Sequence, residues 1–375
     1  MSSRARTVYA RSVAGRSVAG RSVAGRSASA RSISVGNVKI SVLSGGVGGA
    51  RFLRGLRHHL REAHPDGAGG TTAEVTAVVN TGDDMWLGSL RVAPDLDSIM
   101  YTLAGANDEV RGWGRVGETE RVSAELTAYG VGWPWFTLGD LDLGTHIARS
   151  HFLRSGLTLT EATSRITARW DLGITLLPVT DDEVETQVVT KEGSMHFQEW
   201  WTRHRAALTA QRFVQQNVTT ATPAPGVLEA IAGADIIVVA PSNPVVSIGT
   251  ILGIPGIRAA LAAASAPIVG VSPIIQGAVV RGMADACLTA IGVATSAEAV
   301  ALHYGSRRAG GLLDAWLVDE TDADSVAALE PIGIATHAVP LWMHDVKSSA
   351  RLAADALGAA NALGAANALG VQGGV

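Results

Sequence analysis

From residue 38 onward, apolar and polar positions alternate between two rhythms. "VKISVLSGG" (38–46) is a short apolar run ending in glycines, and "ARFLRGLRHHLREA" (50–63) spaces its apolar residues as one face of a helix. "AEVTAVVN" (73–80), "ADIIVVAPSNP" (234–244), "APIVGVSPII" (266–275) and "LLDAWLVDE" (312–320) repeat the first rhythm, each an apolar run stopped by turn residues. Buried strands separated by helical stretches predict an α/β chain. Its expected form is a Rossmann-like, three-layer fold with a mainly parallel sheet covered on both faces. Residues from about 98 to 172 break the strand rhythm and read as a helical insertion, and 184–200 reads as a hairpin. The catalytic body then spans 37–345.

Both ends follow other patterns. "RSVAG" recurs at residues 11, 16 and 21, and such small, unpatterned residues predict a disordered Arg/Ser extension over 1–36. "ALGAAN" recurs at 356 and 362, so 346–375 reads as a low-complexity tail that frays from a final helix.

Composition narrows the class. Of 375 residues, 47% are hydrophobic and 17% charged, which suits a chain able to bury a large core, and no apolar run is long enough to cross a bilayer. One cysteine, Cys287, excludes an intrachain disulfide framework and points to a reducing, cytoplasmic setting. The net charge is −4, yet seven arginines and no acid lie in the first 31 residues. The rest of the chain is therefore acidic, which argues against a nucleic-acid partner.

Candidate chemistry gathers after the strand-like runs. Gly45-Gly46-Val47-Gly48-Gly49 follows the first, where glycines tolerate positive φ and a helix N-terminus favours anions. The spacing is neither the dinucleotide fingerprint nor a Walker loop, and a plain tight turn is the competing reading. "NTGDDMWLGSLRVAPDLD" follows the second, with Asp83, Asp84, Asp95 and Asp97 and one cation, Arg91. Four such acids beside a phosphate site call for a divalent cation, Mg²⁺ by its preference for oxygen ligands. The alternative is that some of them cap helices, Asp95 the one beginning near Leu96. Ser242-Asn243-Pro244 after the later strand offers short hydrogen-bonding groups or, again, a cap. The histidines pair with no nucleophile motif, Cys287 sits on an apolar helical face, and "WPWF" (133–136) and "EWW" (199–201) read as core or as a platform for a planar ligand.

In order, "SGGVGGARFLRGL", "VVNTGDDMWLGSLRVAPDLDSIMYTLAG", "TLGDLDLGTHIARS", "MHFQEWW", "APSNPVVSIGTIL", "VGVSPIIQG" and "LLDAWLVDE" resemble the 2-phospho-L-lactate transferase family of coenzyme F-420 biosynthesis. The likeness runs from Lys39 to Pro340, with features of the actinobacterial phosphoenolpyruvate transferase branch. The resemblance implies transfer of an enolpyruvyl- or lactyl-phosphoryl group from a GDP-linked donor to the deazaflavin Fo, with release of GMP, dependence on Mg²⁺ and a homodimer. Carried onto this chain, it places metal- or Fo-binding aspartates at Asp83 and at the Asp95/Asp97 pair; the chemistry of a diphosphate donor then gives the expectation that Asp83 and Asp97 are metal ligands and Asp95 and Asp97 catalytic. Gly45, Gly46, Gly48, Gly49, Asn80, Asp84, Ser242, Asn243 and Pro244 become substrate-binding. One departure stands out: Leu141 occupies a position where relatives carry arginine. Two other classes compete. A non-catalytic nucleotide-sugar-binding regulator of the gluconeogenesis-factor type would carry a Gly/Ser-rich turn after the paired acids, where this chain has "MWLGSLRVAPDLD". A nicotinamide dehydrogenase would need the dinucleotide spacing that is missing.

Overall fold

The computed structural model describes residues 37–131 and 135–368. The expectations for 1–36 and for Trp133 lie outside these residues.

Seven strands form the central sheet: β1 (Lys39–Ser44), β2 (Glu74–Val79), β3 (Thr175–Pro178), β4 (Ile236–Val239), β5 (Ile268–Val271), β6 (Ala315–Val318) and β7 (Ala335–Ala338). Their spatial order is β7-β6-β5-β4-β1-β2-β3, and every pairing is parallel. Strands β4, β5 and β6 are buried at every position, which is why they read as unbroken apolar runs rather than alternating ones. One apolar layer, with Phe52, Leu56, Ile99 and Leu352, covers one face of the sheet; another, with Ile231, Ile251, Leu261 and Trp316, covers the other. The strand order reverses between β1 and β4. Such a switch point opens a crevice at the strands' carboxyl ends, where doubly wound sheets take ligands.

Two insertions overhang that crevice. Between β2 and β3 come a short hairpin (Met85–Leu87 with Leu90–Val92) and helices Pro94–Ala104, Arg121–Ala128, Asp140–Arg154 and Leu159–Thr167. Between β3 and β4 the expected hairpin, Thr186–Thr190 with Gly193–His196, gains a third antiparallel strand, Arg212–Gln215.

The C-terminal segment departs from its low-complexity reading. Val346–Ala368 is one 23-residue helix, and Leu352, Ala353, Ala356, Leu357 and Ala360 are buried along one stripe. The repeated alanines and leucines fall on positions i, i+1, i+4, i+5 and i+8, a helical face written in small residues. The helix lies against Val47–Ala63, where Gly55 permits the approach: a Cβ there would stand 2.3 Å from the Ser349 carbonyl carbon. Among the described residues, no helix is long and apolar enough to cross a membrane.

Candidate active site

A cavity of about 800 Å³ opens at the switch point. Its walls come from the turn after β1 (Gly46, Gly48), the turn after β2 (Asp83), the Pro94–Ala104 helix (Asp95, Asp97, Tyr101), the turn after β4 (Ser242, Asn243) and the turn after β5 (Ser272). Phe136, Phe197, Trp113, Trp135, Trp201 and Trp342 add aromatic surface.

The glycine turn works by close approach. None of Gly45, Gly46, Gly48 and Gly49 uses the positive φ that glycine allows. Each is instead pressed against a neighbour. A Cβ on Gly48 would lie 2.1 Å from the Pro241 carbonyl oxygen, one on Gly49 1.9 Å from Ser44 Oγ, and one on Gly46 2.5 Å from Asp95 Oδ1. Gly45 N–H donates to Ser242 Oγ at 2.9 Å, so Ser242 ties the first turn to the one after β4. Asn243 holds its own turn by accepting from the Val245 and Val246 N–H groups. Gly45, Gly49 and Pro244 lie behind the cavity wall rather than in it.

The acids divide into two sets. Asp83 and Asp95 meet over Asn80, whose Nδ2 donates to Asp83 Oδ1 at 3.3 Å and to Asp95 Oδ2 at 2.9 Å. Asn80 is in turn fixed by accepting from the Gly82 N–H. Gln198 Nε2 adds a 3.4 Å contact to Asp83 Oδ2, and the Gly46 N–H donates to Asp95. Asp95 therefore occupies the anion-favouring start of the Val47–Ala63 helix itself, as its own chain's ligand. Burial pushes Asp83 well above the ordinary carboxylate range, and the Asp95 charge raises it further. Burial also lifts Asp95, to about 6, against the pull of Asn80 and Gly46. Among the described residues the ion pairs of this region go to Asp84, Asp97 and Asp142 and none to Asp83 or Asp95.

The second set is closed by Arg149 and His146. Asp97 is paired with Arg149 and lies 3.5 Å from His146 Nδ1. His146 Nε2 is 3.3 Å from Asp142, and Asp142 accepts from the Tyr101 hydroxyl at 2.7 Å. Asp142, His146 and Arg149 fall on one face of the Asp140–Arg154 helix because their spacings are i, i+4 and i+7. Burial tends to raise Asp142, but His146 and Tyr101 bring it below its ordinary value. Asp97 lines the cavity, while its Oδ2 is buried beside His146 and makes no hydrogen bond among the described residues.

The helix-cap readings of the aspartates do not survive, whereas Asn243 does cap its own turn. Asp95 lies inside the first turn of a helix capped by Ala93, and a strand rather than a helix follows Asp84. Asp84 is fully buried and off the cavity wall, 3.7 Å from Arg91; burial outweighs that cation and raises it to about 8. Trp200 is core, whereas Trp135, Phe136 and Trp201 line the cavity. Cys287 is buried, contacted by Asn243 Nδ2, and burial pushes its thiol up to about 12. Reading the sequence alone passed over Asp142 as a site residue, and with it His146 and Arg149. Their signal was polar residues repeating on the buried face of one helix.

Fold and site together define a doubly wound α/β enzyme with an acidic ligand site at the switch point. The family description "2-phospho-L-lactate transferase CofD" matches residues 40–352. Phosphoenolpyruvate transferases from Kitasatospora aureofaciens and Thermobifida fusca are each 53% identical over 324 residues, covering 85% of this chain and 97% of theirs. One from Nocardia farcinica is 48% identical over 326 residues, covering 85% of this chain and 94% of its own. Crystallised protein BH3568 from Bacillus halodurans, described as a member of the upf0052 family, shares the fold. Its TM-score is 0.55 at 17% identity, over 86% of this chain and 99% of that one. The chain belongs to the CofD 2-phospho-L-lactate transferase family, and it is a transferase of coenzyme F-420 biosynthesis.

Proposed function

We propose that the cavity transfers a phosphoenolpyruvyl group from a GDP-linked donor, enolpyruvyl-diphospho-guanosine, to the terminal ribityl hydroxyl of Fo, with GMP leaving. The observation that carries this reading is the Asp83–Asp95 pair: two buried carboxylates, clamped by one amide, lining a ligand cavity and, among the described residues, in no ion pair. Like charges so placed are costly unless a proton or a metal lies between them. Oxygen donors suit Mg²⁺, so these residues fit it. When bound there, Mg²⁺ would neutralise charge on the donor's diphosphate.

The expected metal pair was Asp83 with Asp97. Asp97 groups with Asp142 and His146 within reach of one ion, but Arg149 already engages it, so the ligand roles in this proposal go to Asp83 and Asp95. Asp97 lines the cavity, and its carboxylate would accept a hydrogen bond from the ribityl hydroxyl and then its proton as the new O–P bond forms. Arg149 and His146 hold that carboxylate in place. The P–O bond to the GMP phosphate breaks in the same displacement. Positioning and charge neutralisation supply most of the acceleration in such reactions. The aromatic rim offers flat surfaces to the deazaflavin and the guanine.

The test is to incubate the protein with Fo, the enolpyruvyl and lactyl donors in turn, and Mg²⁺, and to weigh the deazaflavin product. A phosphodiester-linked enolpyruvyl adduct with equimolar GMP is expected; unmodified Fo with every donor would refute the reading.

A further inference from the structure

The same cavity holds an unmatched pair of the opposite sign. Arg51 and Arg281 are its only arginine or lysine side chains among the described residues. Arg51 lies five residues past Gly46 on the helix that follows β1, and Arg281 stands on the loop after the Ala278–Val279 strand. Neither forms an ion pair among the described residues. Arg281 Nη2 donates to the Gly112 carbonyl at 3.1 Å, which brings the 280–282 loop against the Gly112–Trp113–Gly114 turn at the cavity mouth. That bond uses one N–H and leaves the rest of the fork free. Burial, and then the nearby Arg51 charge, push the Arg281 guanidinium below its ordinary value. Two cations that line one ligand cavity, neither in an ion pair among the described residues, mirror the Asp83–Asp95 pair.

We infer that Arg51 and Arg281 form the subsite for the carboxylate of the donor's three-carbon acid and select donors that carry one. This rests on the transferase reading and extends it to which part of the donor is recognised. With the donor's diphosphate assigned to the Asp83–Asp95 side, the carboxylate is the anionic group still without a counter-charge. A planar carboxylate also fits the guanidinium fork, which binds two oxygens at once. Arg281 would couple the choice to closure, because the same side chain ties two loops over the mouth.

Calorimetry with Mg²⁺ and without Fo separates the possibilities. The probes are the enolpyruvyl donor, its methyl ester and GDP, titrated into wild-type protein, Arg281→Gln, Arg281→Lys and Arg51→Gln, each checked for an unchanged thermal midpoint. Wild-type protein should bind the acid roughly 10–100-fold more tightly than the ester, the range expected of hydrogen bonds to a charged group. Both glutamine variants should bind the acid about as weakly as the ester while holding GDP as before. Arg281→Lys should fall between, since it keeps the charge and loses the fork. Equal binding of acid and ester by the wild type would overturn the inference. So would a parallel loss of GDP, which would place the diphosphate on the arginines. Tight, carboxylate-dependent binding with no transfer to Fo would instead sink the transferase reading and leave this one standing.

Discussion

The two acidic sets of the cavity differ in how the chain treats their charge. Asp97 and Asp142 are closed by Arg149, His146 and Tyr101, all from the protein itself. Among the described residues, Asp83 and Asp95 are held only by neutral donors, Asn80, Gln198 and the Gly46 N–H. A buried charge paired within the chain serves structure and positioning, whereas one left unpaired costs stability until a ligand arrives. The contrast separates the scaffold of the site from its working face.

Substitutions should expose that difference with opposite signs. Arg149→Met leaves Asp97 buried and unpaired, so chemical denaturation should show a loss of about 3–5 kcal/mol, the range for breaking a buried pair from one side. Asp83→Asn should do the reverse in metal-free buffer and raise the thermal midpoint by relieving repulsion. Its turnover should fall roughly 10²–10³-fold, as for loss of a main electrostatic stabiliser. A drop in metal-free stability for Asp83→Asn would erase the distinction between the two sets.

Gly46→Ala tests how the open pair is held. The added Cβ would meet Asp95 Oδ1, so the carboxylate must move off the helix start. Overpacking of this kind costs about 1–3 kcal/mol, and turnover should drop with it. Wild-type stability and activity in this variant would show that Asp95 is not held there.

Acidity gives a finer test. Asp95 titrates at about 6 and Asp84 at about 8 in the folded chain, both above the ordinary 3.8. The native state thus keeps protons that the unfolded chain has released, and metal-free stability should fall as pH rises from about 4 to 8. Thermal scans across that range check the sign; a rise toward pH 8 would contradict it. Mg²⁺ should stabilise more at pH 8 than at pH 5, where Asp95 holds its proton.

Leu141→Arg should have the smallest effect. Leu141 is exposed and off the cavity wall, although its neighbour Asp142 is on it. Stability should stay within about 0.5 kcal/mol, as for ordinary surface changes, and steady-state kinetics should move little. A large gain in donor affinity would show that this position reaches the substrate after all.

The five inner strands were legible because they are largely buried on both faces and bounded by turn residues, and the turns after β1, β2 and β4 were legible as the ligand edge. The edge strands β3 and β7, partly exposed and short of apolar residues, were not, and two further things were missed. The Val346–Ala368 helix hid in a repeat of small residues, because alanine marks a buried face less visibly than leucine or valine. The split between the acid pairs depended on Arg149 and His146, more than fifty residues from Asp95 in sequence, and only tertiary contact tells which carboxylate a cation neutralises. The four glycines do not adopt the positive φ open to them; their use is to let Asp95, Ser44 and Pro241 come close.

The most direct measurement is calorimetric titration of Mg²⁺ with GDP present, at pH 8, into wild-type protein and into Asp83→Asn and Asp97→Asn. The account predicts Mg²⁺-dependent GDP binding by the wild type, its loss in Asp83→Asn and its retention in Asp97→Asn. Loss in Asp97→Asn with retention in Asp83→Asn would contradict the assignment of the open pair as the metal site.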